Sequence, residues 1–311
     1  MEFFHSVPKF RFMAVRRICY IISAVVILGS LAAEGYHGLN LAVDFTGGVV
    51  IEANYAGTAN LDATREALHK AGYADVQVQN FGSSKDVLVR LPPIGDKESA
   101  NAVTAKIEAA LKTVDAGAQI RRTEIVGPQV GKELVGKGIS AMAITIVLIL
   151  LYIAFRFRWK FGVGAVLATL HDPFVVVGVF ALTGMQFDLS VLAAVLAVIG
   201  YSINETVVVF DRVRELFPVM RTSTPLEVFD RAINETLSRT VITKVATLIV
   251  VVALYLFGGE ALRGFGLALI VGILAVTYSS MFVASGVALD LGSSHRDLMP
   301  SQRATPVDDL P

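Results

Sequence analysis

Six stretches of this chain, 18–33, 138–155, 161–182, 189–210, 241–257 and 265–289, are long and apolar enough, or nearly so, to cross a bilayer. A hydrocarbon core of roughly 30 Å takes about 20 such residues. Nothing else in the sequence narrows the fold as far. In lipid each backbone N–H and C=O must be satisfied within its own segment, so single spans of this kind are helices. The composition agrees, with 17% charged and 54% hydrophobic residues, against about 25% and 45–50% in soluble domains. Twenty-seven basic residues balance twenty-seven acidic ones, which gives no pull toward nucleic acid. The single cysteine, Cys19, excludes an intrachain disulfide and, with five scattered histidines, a Cys/His metal framework. Ahead of the first, short span stand Lys9, Arg11, Arg16 and Arg17, and Ser30-Leu31-Ala32 near its end would suit cleavage. A removable signal segment therefore stands beside the anchor reading.

Orientation follows from Lys and Arg in the short loops. Arg156, Arg158 and Lys160 fill the turn between spans two and three, and Arg212, Arg214, Arg221, Arg231 and Arg239 lie between spans four and five. The loop 183–188 has no basic residue, and 258–264 has only Arg263. Both termini are expected in the cytoplasm and the long segment after span one on the opposite side. The organisation expected is an N-terminus with the first helix (1–35), an extracytoplasmic domain (36–137), a five-helix bundle (138–290) and a disordered cytoplasmic tail (291–311).

Within the extracytoplasmic segment, 43–55 alternates and is β-branched like a strand, 61–71 and 97–114 have helical apolar spacing, and 76–81, 87–91 and 119–126 read as short strands. Gly82-Ser83-Ser84 suits a hairpin turn. The order βαββαβ is that of a ferredoxin-like α+β domain. Two glycine-bearing junctions bound it: Asp44-Phe45-Thr46-Gly47-Gly48, expected as a bend, and Gly127-Pro128-Gln129-Val130-Gly131, expected as a turn before span two. No cluster of catalytic type is visible in it.

Ionisable residues inside spans cost roughly 2.5–3.5 kcal/mol each and by default suggest function. His171-Asp172, followed by Pro173, stands in the third span; two ligands without a third do not make a metal site. In the fourth, Tyr201, Asn204, Glu205, Val208 and Asp211 or Arg212 share one helical face, with Ser202 adding polarity. Glu205 lies about 10 Å inside Arg212 at 1.5 Å per residue. Before span five, Thr224-Pro225-Leu226-Glu227 fits a capping box. The stripe Leu226, Phe229, Ile233 and Leu237 then predicts an interfacial helix that delivers Arg239 to a depth comparable with Glu205. Lys244 is expected to snorkel toward headgroups. In span six, Ser280, Ala284 and Ala288 have small-residue packing spacing.

Taken in order, the two junction motifs, His171-Asp172, the run from Gly200 to Arg212 and the run from Asn234 to Thr240 resemble the SecD/SecF family of bacterial protein-export subunits. The resemblance covers about 16–291. It implies a resistance-nodulation-division fold in which six helices form half of a pseudo-symmetric unit, with a SecD subunit as the other half. It implies work beside the SecYEG channel and the SecA motor on translocating preprotein in the inner membrane lipid, driven by proton flow, with no nucleic acid, cofactor or metal. Glu205 and Arg239 are implied as a proton relay, supported by Ser202, Asn204, Asp172 and Asp211. The family usually has Asp where this chain has Glu205. A small-solute exporter of the same superfamily, an intramembrane protease and a passive scaffold are the rival readings; the protease lacks two carboxylates at one depth.

Overall fold

The computed structural model describes residues 7–93 and 100–294. In chain order the elements are α1 (Arg16–His37), the single turn α2 (Val43–Thr46), β1 (Gly48–Asn54), α3 (Leu61–Lys70), β2 (Gln77–Phe81), β3 (Ser83–Leu91), α4 (Ala100–Val114) and β4 (Gln119–Val126). There follow α5 (Pro128–Arg156), α6 (Trp159–Thr183), α7 (Leu189–Val219), α8 (Pro225–Phe257) and α9 (Glu260–Tyr278), the last continuing through a π-helical turn (Ser279–Ala284) into α10 (Ser285–Asp290). Among the described residues, six helical segments are long and apolar enough to cross a membrane. The expected start of the second domain helix at 97 and most of the tail, 295–311, lie outside the described residues.

The four strands form one antiparallel sheet in the order β2-β3-β1-β4. β3 therefore separates β1 from β2, the two strands joined through α3, as a split βαβ unit requires. Val49, Ile51 and Ala53 of β1, Val87, Val89 and Leu91 of β3, Leu68 of α3 and Ile107 and Leu111 of α4 make its core. Alternation along the strands supplies one apolar face, and Asn60 caps α3 by accepting from Ala63 N at 3.1 Å.

The first strand is shorter than its 43–55 pattern: residues 43–46 wind into α2, and β1 begins only at Gly48, with Gly47 and Gly48 both at positive φ (69° and 128°). Those two backbone conformations, open to glycine, end the turn before the ladder can start. The hairpin is also tighter than expected, because Phe81 pairs with Ser83 and only Gly82 turns. At the second junction there is no turn. Pro128 occupies the first helical position, where its missing N–H costs nothing, and α5 runs from there for 29 residues.

Domain and bundle are tied by backbone and side chains. Ala42 N donates to Phe187 O (2.9 Å) and Phe187 N to Asn40 O (2.8 Å). Asp44 Oδ2 accepts from Leu189 N at the start of α7 (3.1 Å). Arg90 Nη1 donates to Asn40 Oδ1, and Asn40 Nδ2 to Gly184 O, both at 2.8 Å. Burial pulls the Arg90 guanidinium below its ordinary value. A Cβ on Gly131 would press on the backbone of Phe45 and Gly47, so the start of α5 rides directly on α2.

At the opposite end the basic loops gather. Arg156 Nη2 lies 2.5 Å from Asp211 Oδ2, Arg212 Nη2 2.5 Å from Glu235 Oε2, and Met13 N donates to Asp230 Oδ1 (2.8 Å). Between the ends, α8 corrects one expectation. It is a single helix of 33 residues, and its stripe packs into the bundle. Phe229 and Ile233 are buried in the bundle, with Phe229 between Phe161 (6.0 Å) and Phe217 (6.2 Å), two aromatic rings that offer it an apolar seat. The small residues of span six meet α6. A Cβ on Gly164 would overlap Ala284 O, and Ser285 Oγ donates to Ser280 O (3.0 Å) across the π turn.

Candidate functional site

The α7 helix starts where Asp188 accepts from Val191 N at 2.8 Å. Val191, Val195, Val198, Ser202, Thr206, Val209 and Val213 are all buried, so this face is spent on packing. The adjoining face carries Tyr201, Asn204, Glu205 and Val208. They line a cleft of about 280 Å³ together with Arg239, Thr240, Thr243, Lys244 and Thr247 of α8.

Glu205 is 7% exposed and Lys244 6%. Glu205 Oε2 lies 3.2 Å from Lys244 Nζ, and Oε1 accepts from Thr240 Oγ1 at 2.6 Å. Thr240 and Lys244 are one turn apart, so α8 presents a hydroxyl and an ammonium on one line. Lys244 Nζ also lies 5.4 Å from the Tyr201 ring centroid, a cation–π seat. A carboxylate and an ammonium that would each be costly in lipid thus compensate one another, with a third donor in place.

Lys244 therefore does not snorkel. It is the partner of Glu205 that the sequence reading missed, and the signal was present. The stripe 226, 229, 233, 237 continues to 240 and 244 if the helix does not break. Arg239 lies about 120° round α8 from that stripe. It lines the cleft, is exposed, and forms no ion pair among the described residues. Asn204 is exposed in the cleft. Ser202 points away from it, fully buried, and its hydroxyl has no protein partner among the described residues.

Asp211 and Asp172 do not join the cleft. Asp211 takes Arg156 and Arg214 at the basic end. Asp172 is fully buried on α6, where Oδ2 accepts from Ser279 Oγ (2.8 Å) and Oδ1 lies 3.0 Å from His171 Nδ1. The α6 helix passes through Pro173 without a break.

These features define a polytopic helical membrane protein with an ionisable pair inside its spanning bundle. Residues 106–294 match the family profile "Protein export membrane protein SecD/SecF, C-terminal", and 37–59 match "SecD/SecF GG Motif". The chain is 44% identical over 308 residues to protein translocase subunit SecF of Pseudomonas aeruginosa, covering 98% of this chain and 99% of that one. It is 41% identical to the subunit of the same name from Haemophilus influenzae, covering 98% and 93%. The SecDF crystal structure from Thermus thermophilus, a translocon-associated membrane protein, superposes with a TM-score of 0.82 at 34% identity over 91% of this chain. This chain spans 39% of that longer one. A super-membrane-facing form of SecDF gives a TM-score of 0.69. The chain belongs to the SecD/SecF family of protein export membrane proteins.

Proposed function

We propose that the chain is the six-helix half of an accessory preprotein translocase, paired with a SecD-type half and acting beside the SecYEG channel and SecA. Family membership and the likeness to the longer SecDF chain, of which this one spans 39%, support a SecD-type partner half. In this reading the protein lies in the bacterial inner membrane with both termini cytoplasmic. The four-stranded domain, of ferredoxin-like strand order, is extracytoplasmic and meets preprotein. The proton motive force drives the cycle through Glu205 and Arg239. Each proton crossing the membrane yields about 2.3 kcal/mol per 100 mV, enough to bias a two-state tilt of the domain through its α2 and α5 junctions.

One observation carries the reading: a carboxylate within a spanning helix sits at the edge of a cleft that also holds an exposed arginine. A buried carboxylate holds its proton more readily than one in water, and a cation drawn close reverses the preference. Glu205→Gln keeps the shape and an oxygen for Thr240 while removing the titratable proton, and Lys244 turns on its flexible stem into the cleft. The variant should accumulate and assemble normally and lose the part of preprotein export that a proton uncoupler abolishes. Full uncoupler-sensitive export by this variant would remove the proton-carrier role. Small-solute export by vesicles lacking preprotein activity would favour the exporter reading instead.

A further inference from the structure

Two cations share one cleft with one carboxylate, and they are held differently. Both Glu205 oxygens already have partners, Oε1 from Thr240 at 2.6 Å and Oε2 facing Lys244 at 3.2 Å. Arg239 waits five residues before Lys244, about 7.5 Å along the axis, and is exposed. In the same position Lys244 already lies 5.4 Å from the Tyr201 ring, so it keeps one partner when the Glu205 contact is lost. Its four-carbon stem and compact ammonium suit a short excursion between two partners better than a planar guanidinium does.

We propose that Lys244 is a positioning residue for the proton step: it docks the Glu205 carboxylate against α8, and its withdrawal toward Tyr201 frees Oε2 for a proton or for Arg239. The proposal rests on the reading of Glu205 as the proton carrier. In the step a hydronium ion reaching the cleft from the aqueous side gives up a proton, breaking one of its O–H bonds and leaving water, and an O–H bond forms at Oε2 as the Lys244 contact is lost. Lysine stays an ammonium, Glu205 becomes neutral, and Thr240 keeps the other oxygen from swinging. The length of the side chain matters. Aspartate would retract the carboxylate by about one C–C bond, 1.5 Å, beyond ion-pair reach of Lys244. Among the described residues the titratable groups facing the carboxylate are Lys244, Arg239 and Tyr201, from α7 and α8. The α6 and α9 helices pack against the other side of α7. The α6 helix brings His171 and Asp172, which are engaged with each other and with Ser279, and α9 has no charged residue between Gly264 and Tyr278.

The test is the pH profile of uncoupler-sensitive preprotein uptake by inverted vesicles containing the full chain and its partner subunit. Lys244→Met keeps the apolar stem and removes the charge. Its profile should move to higher pH by about one unit, the lower end of what an opposite charge at this distance provides. Lys244→Arg keeps the charge and should hold the wild-type midpoint, at a lower rate because the guanidinium leaves less readily. Glu205→Asp should shift like Lys244→Met, and the double variant should shift no further, as two changes to one contact require. An unmoved Lys244→Met profile, with Glu205→Gln inactive, overturns the proposal and leaves the proton-carrier reading standing. An active Glu205→Gln overturns that reading and the proposal with it. If Lys244→Met does not accumulate, Glu205→Asp decides, and an unmoved profile there overturns the proposal.

Discussion

Two carboxylates are buried in this bundle, and their surroundings differ in kind. Asp172 is fully enclosed between α6 and the π turn, with one oxygen on Ser279 and the other beside His171. Glu205 is nearly as buried, yet its partner is an ammonium, and the cleft beside it admits Asn204 and Arg239. The neighbouring surfaces make the difference. On the face of α6 that also carries Asp172, Gly164 lets the span-six backbone approach closely, whereas Tyr201 and Arg239 line an open cleft between α7 and α8. Burial alone is therefore a poor guide to proton carriage. A group that exchanges protons needs a partner that can leave and a route by which something else arrives.

The largest effect expected from breaking this comparison is at Asp172. Asp172→Ala leaves His171 Nδ1 without its partner, at about 1–3 kcal/mol, and takes from Ser279 Oγ the shorter of its two contacts, leaving only Val276 O at 3.3 Å. Steady-state protein level and melting temperature in detergent should both fall. Uncoupler-sensitive export per surviving molecule should be unchanged, the reverse of the pattern for Glu205→Gln. Normal level with lost export would place Asp172 on the proton route.

How far these two environments were legible in the sequence depended on helix phase. The face Tyr201, Asn204, Glu205 and Val208 follows from spacing alone, and the same four residues line the cleft. The spans, the capping box at Thr224 and the strand 119–126 were likewise local patterns. Lys244 reads as a snorkelling residue when the interfacial helix and span five are taken separately, which discards the phase that the stripe 226, 229, 233, 237 establishes. Ser202 was misassigned for a related reason. A hydroxyl next in sequence to a polar face lies about 100° away from its neighbour, here on the packed side. The π turn at Ser279–Ala284 shifts the register that small-residue spacing predicts, and no sequence period announces such an insertion. Positions 43–46 alternate like a strand, but paired glycines at positive φ close them into a helical turn.

A smaller effect sharpens the contrast between the closed and open sides through glycine. A methyl group on Gly164 would overlap the Ala284 carbonyl, whereas Gly200, on α7, has nothing within 4 Å of its added Cβ. Gly164→Ala should destabilise the bundle by about 1–3 kcal/mol through overpacking. Gly200→Ala should be neutral or stabilising, by up to about 1 kcal/mol, because it removes the helix-interior cost of glycine. Melting temperatures of the two variants in one detergent would rank them. Equal losses would mean that the α7–α8 side is as tightly packed as the α6 side.

The smallest effect concerns a third carboxylate, outside the bundle, held chiefly by a hydroxyl and an amide with an exposed arginine beside it. Asp86 Oδ2 accepts from Ser83 Oγ and Oδ1 from Asn54 Nδ2, each at 2.6 Å, with Arg121 at 3.3 Å. The Ser83 bond first and the Asn54 bond second hold its carboxyl below the usual carboxylate range. Because the folded value is depressed, the stabilisation belongs to the ionised form. It is fully present above the ordinary carboxyl value of about 3.9 and is lost as pH falls through the folded value. Asp86→Ala should therefore raise amide exchange in β2 and β3 several-fold over wild type at neutral pH, and the ratio should shrink toward one in acid. Since β3 supplies Arg90 to the Asn40 contact, the loss should be felt at the domain junction before it is felt at Glu205. A ratio that stays constant into acid would mean that the turn is held by the shape of the Gly82 hairpin, with the carboxylate adding only a contact that its neutral form makes equally well.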